Sequence, residues 1–175
     1  GSAAGALHVI HVSSGGTVSV EGKIASETGG GPLLDAADGA GIATSSLGDL
    51  DGDGSTVEVL MGVYLDDTGG TDRGAVYLLS IDTSSWDATW WRKIASEVGG
   101  GPVLVDSDSF GVSVAFIGDL SGSGRPNSVI VGAWNDDTGG TNRGSIHVLS
   151  LADLTDAASE TSLLVSHTLS STSSL

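Results

Sequence analysis

The chain has 175 residues, 28 of them glycine and none cysteine, with 22 acidic residues against 6 basic ones and a formal net charge of −16. That length can bury one ordinary core, and the missing cysteine removes disulfide scaffolds, thiolate zinc sites and cysteine nucleophiles. The acidity speaks against nucleic acid and anionic membrane surfaces, which both need clustered Lys and Arg, and no apolar run reaches the roughly 18–20 residues of a membrane span.

Hydrophobic residues make up 39% of the chain, too many for a disordered acidic segment. Aspartate outnumbers glutamate 17 to 5. Asp favours turns, caps and cation sites, whereas Glu favours helices, so a turn-rich all-β chain is expected. Residues 1–6 have neither a basic stretch nor an apolar stretch, so a signal peptide is expected to be either absent or already removed.

The first strand expected is Gly5-Ala6-Leu7-His8-Val9-Ile10. It matches Gly74-Ala75-Val76-Tyr77-Leu78-Leu79 and Gly144-Ser145-Ile146-His147-Val148-Leu149. Next comes Lys23-Ile24-Ala25-Ser26-Glu27, which recurs as Lys93-Ile94-Ala95-Ser96-Glu97, and a spacing of 70 persists. Between 23–82 and 93–152, 29 of 60 positions are identical without a gap, which establishes an internal repeat. Each repeat reads as four short strands rich in Val, Ile, Leu and aromatics, bounded by Gly, Asp and Asn. They fall near Lys23–Ser26, Gly41–Leu47, Val57–Tyr64 and Gly74–Ser80, then near Lys93–Ser96, Phe110–Ile117, Val129–Trp134 and Gly144–Ser150. Leu151–Glu160 is the one stretch with a helical reading, and Leu163–Leu169 reads as a last strand. The expected fold is all-β: tandem four-stranded antiparallel sheets, about ten strands, not closed within one chain. The divisions are a lone strand over 1–22, repeats over 23–92 and 93–162, and a lone strand with a Ser/Thr-rich tail over 163–175.

Between the second and third strands of the first repeat lies Asp49-Leu50-Asp51-Gly52-Asp53-Gly54. Carboxylates at loop positions 1, 3 and 5 can point to one centre, and Gly54 permits a sharp turn. Calcium takes six to eight hard oxygen ligands at about 2.3–2.6 Å, which this loop can begin to supply. Three unneutralised carboxylates 4 Å apart would cost about 4 kcal/mol per pair at an effective dielectric of 20. An EF-hand is excluded because its twelfth position holds Leu60 instead of Glu.

Phe110-Gly111-Val112-Ser113-Val114-Ala115, then Gly118-Asp119-Leu120, then Val131-Gly132-Ala133, resembles the FG-GAP repeat. Gly48-Asp49-Leu50-Asp51-Gly52-Asp53-Gly54 followed by Met61-Gly62 resembles its calcium-loaded form. The family includes the integrin α-subunit β-propeller and secreted bacterial proteins. The resemblance covers residues 23–152 and implies four-stranded propeller blades with Ca2+ between strands two and three. It points to Asp49, Asp51, Asp53 and Ser55 as ligands. The acid usual at position 9 is Val57 here; Glu58 stands one later, and a bulge would bring it in. In the second loop Asp119 is joined by Ser121, Ser123 and Asn127, so weaker binding is expected. Ala40-Gly41 replaces Phe-Gly in the first repeat. Tyr64 and Trp134 stand where the family has proline.

The loop Asp66-Asp67-Thr68-Gly69-Gly70-Thr71-Asp72-Arg73 recurs with Asp136 and Asp137. It reads first as a long hairpin turn with Arg73 paired to an acid, and second as a further cation or contact site at Asp66, Asp67, Asp136 and Asp137. His8, Tyr77 and His147 share one strand position and read as a common packing or surface niche rather than a metal site. Trp86, Trp90, Trp91 and Trp134 read as packing residues before a sugar platform. No nucleophile elbow or acid–base pair stands out, so no enzyme is expected. Propellers need roughly four to eight blades, and this chain holds about two and a half. The expectation is a calcium-stabilised structural protein, extracellular or at the cell surface. It would associate with other copies of itself through open sheet edges, possibilities including a filament. The alternative is a calcium-dependent adhesion or ligand-binding module of a larger propeller, with a protein or glycan ligand.

Overall fold

The computed structural model describes residues 4–120, 122, 124 and 127–151 and the backbone of 164–169, and the statements below concern these residues. Ser121, Ser123 and residues 152–160 of the expected helical turn lie outside the described residues.

Ten strands follow one another: β1 (Ala6–Val12), β2 (Val18–Ala25), β3 (Ala40–Gly48), β4 (Thr56–Val63), β5 (Ala75–Asp82), β6 (Ala88–Ala95), β7 (Phe110–Gly118), β8 (Ser128–Ala133), β9 (Ser145–Leu151) and β10 (Leu164–Leu169). They form three antiparallel sheets, ordered β1-β2, β3-β4-β5-β6 and β7-β8-β9-β10. The fold is therefore all-β, and the sheets do not close into a barrel.

The sheets straddle the sequence repeat. The strand that opens each repeat at Lys23 or Lys93 closes the preceding sheet, as β2 pairs with β1 and β6 with β5. Periodicity fixes the length of a unit but not where the chain cuts it. The opening strand is also not alone. A turn at Ser13–Thr17, held by Gly16 N–H to the Ser13 carbonyl and Thr17 N–H to Ser13 Oγ, folds it onto β2. Alternation in Val18-Ser19-Val20 and Ala88-Thr89-Trp90 extends β2 and β6 several residues upstream of the expected starts.

The three sheets stack in a row. Alternate residues of a strand face opposite ways, and β5 shows what each face does. Ala75, Tyr77, Leu79 and Ile81 join a core with Leu7, Ile24 and Leu34, against the β1–β2 sheet. Val76 and Leu78 join a second core with Phe110, Val129, Val131, Leu149 and Leu151, against the third sheet. Burial on both faces explains why β4 and β5 read as nearly unbroken apolar runs. Close approach of backbones sets the spacing. A Cβ on Gly62 would sit 2.0 Å from the Gly111 carbonyl oxygen, so only glycine fits. Gly5 bridges Ala40 and Gly74 bridges Phe110, in parallel. The joint thus repeats with alanine in one place and phenylalanine in the other.

Candidate metal centre

The Asp49–Gly54 loop leaves β3 and re-enters at β4. Its first carboxylate organises the turn: Asp49 Oδ1 accepts from Gly52 N–H (2.7 Å) and Asp53 N–H (3.1 Å), and Oδ2 from Gly54 N–H (3.0 Å). Asp51 Oδ1 accepts a second bond from Asp53 N–H at 3.1 Å. Glu58 comes from β4 and is fully buried. Its Oε2 accepts from Leu50 N–H at 2.7 Å and its Oε1 from Thr56 Oγ1 at 3.3 Å. A carboxylate oxygen from each of Asp49, Asp51 and Glu58 lies within 4.8 Å of the others.

The register shift that admits Glu58 is in the ladder beside it. Ser46 pairs with Val59 and Gly48 with Glu58, so Leu47 is the extra residue and the irregularity sits on β3. Asp53 and Ser55 turn to each other instead. Asp53 Oδ1 accepts from Ser55 N–H (2.7 Å) and Thr56 N–H (2.9 Å), and Oδ2 from Ser55 Oγ (2.9 Å). Those bonds hold its carboxyl below its ordinary pKa. The donor set of Asp49, Asp51 and Glu58 is all hard oxygen and anionic, which fits a divalent cation of the calcium kind.

The second loop differs. Gly124 N–H donates to Asp119 Oδ2 at 2.5 Å, as Gly54 does to Asp49. Asn127 is engaged elsewhere: its Nδ2 donates to the Leu151 carbonyl at 2.7 Å. Ser128 takes the place of Glu58, opposite Gly118 as Glu58 is opposite Gly48. The second loop therefore lacks the buried carboxylate. Sequence reasoning weighed Asn127 for this place because it counted to position 9. The ladder register is what identifies Ser128.

The Asp66-Asp67 and Asp136-Asp137 loops lie at the opposite end of the sheets. Asp66 is buried, accepts from Thr68 N–H at 2.9 Å and pairs with Lys93 Nζ at 2.6 Å. Asp67 Oδ1 accepts from Asp72 N–H at 2.8 Å. Asp136 accepts from Thr138 N–H (2.6 Å) and Ser145 Oγ (2.7 Å), and Asp137 from Asn142 N–H (2.7 Å). These four residues cap turns and hold buried polar pairs. Arg73 does find an acid, Asp106 at 2.9 Å, in the segment that leads into the next sheet.

Tyr77 and His147 occupy matching buried positions, but His8 is exposed. The Tyr77 hydroxyl is pushed up by burial and by nearby Asp66. Ser145 Oγ lies 2.9 Å from His147 Nε2 and donates to Asp136. In that network the imidazole Nε2–H donates to the serine, leaving Nδ1 a buried acceptor with no partner. Burial outweighs Asp136 and pushes His147 below its ordinary pKa.

The tryptophans do not gather into a platform. Trp91 packs edge-on to Tyr77 at 5.6 Å, Trp90 lies under Arg92, Trp86 is half-buried and Trp134 is exposed.

No protein-family model matches the chain, and no curated protein matches its sequence.

Proposed function

We propose that this chain is a calcium-stabilised structural repeat protein of the FG-GAP, propeller-blade type, working outside the cell and associating with further copies of itself through its open sheet edges and faces. One observation carries the association. Ile10, Val12, Val18 and Val20 lie 55%, 57%, 58% and 66% exposed on the outer face of the β1–β2 sheet. The counterparts of Ile10 on β5 and β9, Leu79 and Leu149, and those of Val12, Ile81 and Leu151, are buried against a neighbouring sheet. A contiguous apolar patch of this kind marks an interaction surface. The free edge of β1 adds unpaired backbone groups, where β5 and β9 each have a partner on both sides.

The outer face of the β7–β10 sheet corresponds to the face of β3–β6 that packs on its successor. The two open faces of the molecule are therefore of complementary kinds, and head-to-tail contact follows. Calcium enters through Asp49, Asp51 and Glu58, which it would bridge and neutralise. A site with three protein carboxylates and a rigid turn suits the millimolar calcium of extracellular fluid. The FG-GAP resemblance of residues 23–152 supports both parts.

A second reading is a calcium-dependent adhesion or ligand-binding module of a larger β-propeller. The in-line stacking of sheets favours it, since further sheets could continue the row. Sedimentation velocity separates the two. Association of the native chain that is lost in Ile10→Lys/Val12→Lys supports the first; a native chain sedimenting as a monomer at all concentrations overturns it and leaves the second.

A further inference from the structure

At the far end of the row the β7–β10 sheet presents a groove of about 500 Å3, lined among others by Ser113, Gly132, Trp134, Arg143, Gly144 and Ile146. The same groove exists one sheet earlier, and there it is filled. Gly62 and Gly74, the counterparts of Gly132 and Gly144, lie against the backbone of Gly111 and Phe110. The carbonyls of Thr71, Asp72 and Arg73 accept from Ser107, Ser109 and Phe110 N–H at 2.9, 3.1 and 2.9 Å. Arg73 pairs with Asp106. Val76, beneath them, is fully buried.

Among the described residues none of these partners is present at the second groove. The three atoms nearest a Cβ on Gly132 all belong to Ser113, and those nearest one on Gly144 belong to Ala133 and Trp134, so the closest neighbours come from the same sheet. Among the described residues nothing donates to the carbonyls of Thr141, Asn142 or Arg143, and no carboxylate pairs with Arg143. Ile146, the counterpart of Val76, is 54% exposed, and Trp134 is 60% exposed.

The geometry points to this groove as the receptor for a β-hairpin of the β7–β8 type, brought by a partner polypeptide built of the same repeat. The molecule carries its own template for the ligand. The incoming segment needs a small-side-chain approach at Gly132, main-chain N–H groups for residues 141–143, and an aromatic–glycine pair at Gly144. It also needs a carboxylate four residues before the aromatic, where Asp106 precedes Phe110. That carboxylate meets the guanidinium of Arg143, so charge as well as shape selects the ligand. The segment before β3 has Ala36 at that place, so it meets the chemistry less well. This inference rests on the reading of the chain as an assembly module and specifies what one end of it takes.

The test is titration of the full chain with a synthetic peptide of residues 104–133. The peptide lacks tryptophan, so it is read through a blue shift of Trp134 emission and by calorimetry. Saturable binding is expected, with loss of at least tenfold in affinity in Gly132→Val and in Ile146→Lys. Ile146 is surface-exposed, so its variant keeps the fold intact if the glycine variant does not. The peptide Asp106→Asn should bind about fivefold more weakly to the native chain, with no such penalty against Arg143→Ala, because the pair is already broken. No binding overturns the inference, as does binding indifferent to both groove variants or lost instead in Ile10→Lys. Neither groove variant touches the β1–β2 face, so a native chain that self-associates but fails to bind the peptide refutes this inference alone.

Discussion

Asp51 shows how much a single side chain can decide. It is the least constrained of the three clustered carboxylates, since Asp49 builds the turn and Glu58 is locked by Leu50 N–H. Removing it should cost the cation without unmaking the loop. A cation at 100 times its dissociation constant adds about 2.7 kcal/mol, a melting shift of roughly 5–10 °C for a chain this size. EDTA should therefore lower the melting temperature of the native chain by that amount and leave Asp51→Ala unchanged, as differential scanning fluorimetry would show. His147 gives a pH dependence. Its folded pKa lies below the ordinary 6.5, so the unfolded chain binds more protons in the window below 6.5. Stability falls as pH drops through that window. His147→Gln should flatten the fall between pH 7.5 and 5 in urea melts. At this scale the sequence was half legible. Asp49 and Asp51 could be chosen from spacing together with Asp53, and Glu58 from the FG-GAP resemblance. That Asp53 caps the turn could not, because alternate carboxylates look alike until their backbone partners are known.

Elements carry the second lesson. The strands were readable because alternation and turn residues bound them, and the 70-residue spacing made each reading twice over. How they group into sheets was not readable, because a repeating chain gives the same spacing wherever it is cut. β2 and β6 therefore belong to the sheet before them. The partner of Arg73 was likewise hidden: Asp106 is 33 residues away and meets it only because the sheets stack. Stacking yields a paired prediction. Gly62→Ala drives a methyl into the Gly111 carbonyl, and overpacking of this kind costs about 1–3 kcal/mol. The closest atom to a Cβ at Gly132 is the Ser113 hydroxyl, which can rotate away, so Gly132→Ala should cost well under Gly62→Ala in the same urea titration.

At the scale of the molecule, three sheets in a row leave one apolar face open at each end among the described residues. The middle sheet shows what such faces do when covered. The net charge of −16 would hold copies apart. A cation held by Asp49, Asp51 and Glu58 would remove part of that repulsion and stiffen their loop. Association and calcium are thus expected to be linked. The most direct measurement is the molar mass by light scattering during size-exclusion chromatography, in millimolar calcium and again in EDTA. The account predicts a mass well above the 17.3 kDa of one chain in calcium, falling towards it in EDTA. A single monomeric species in both conditions would contradict it.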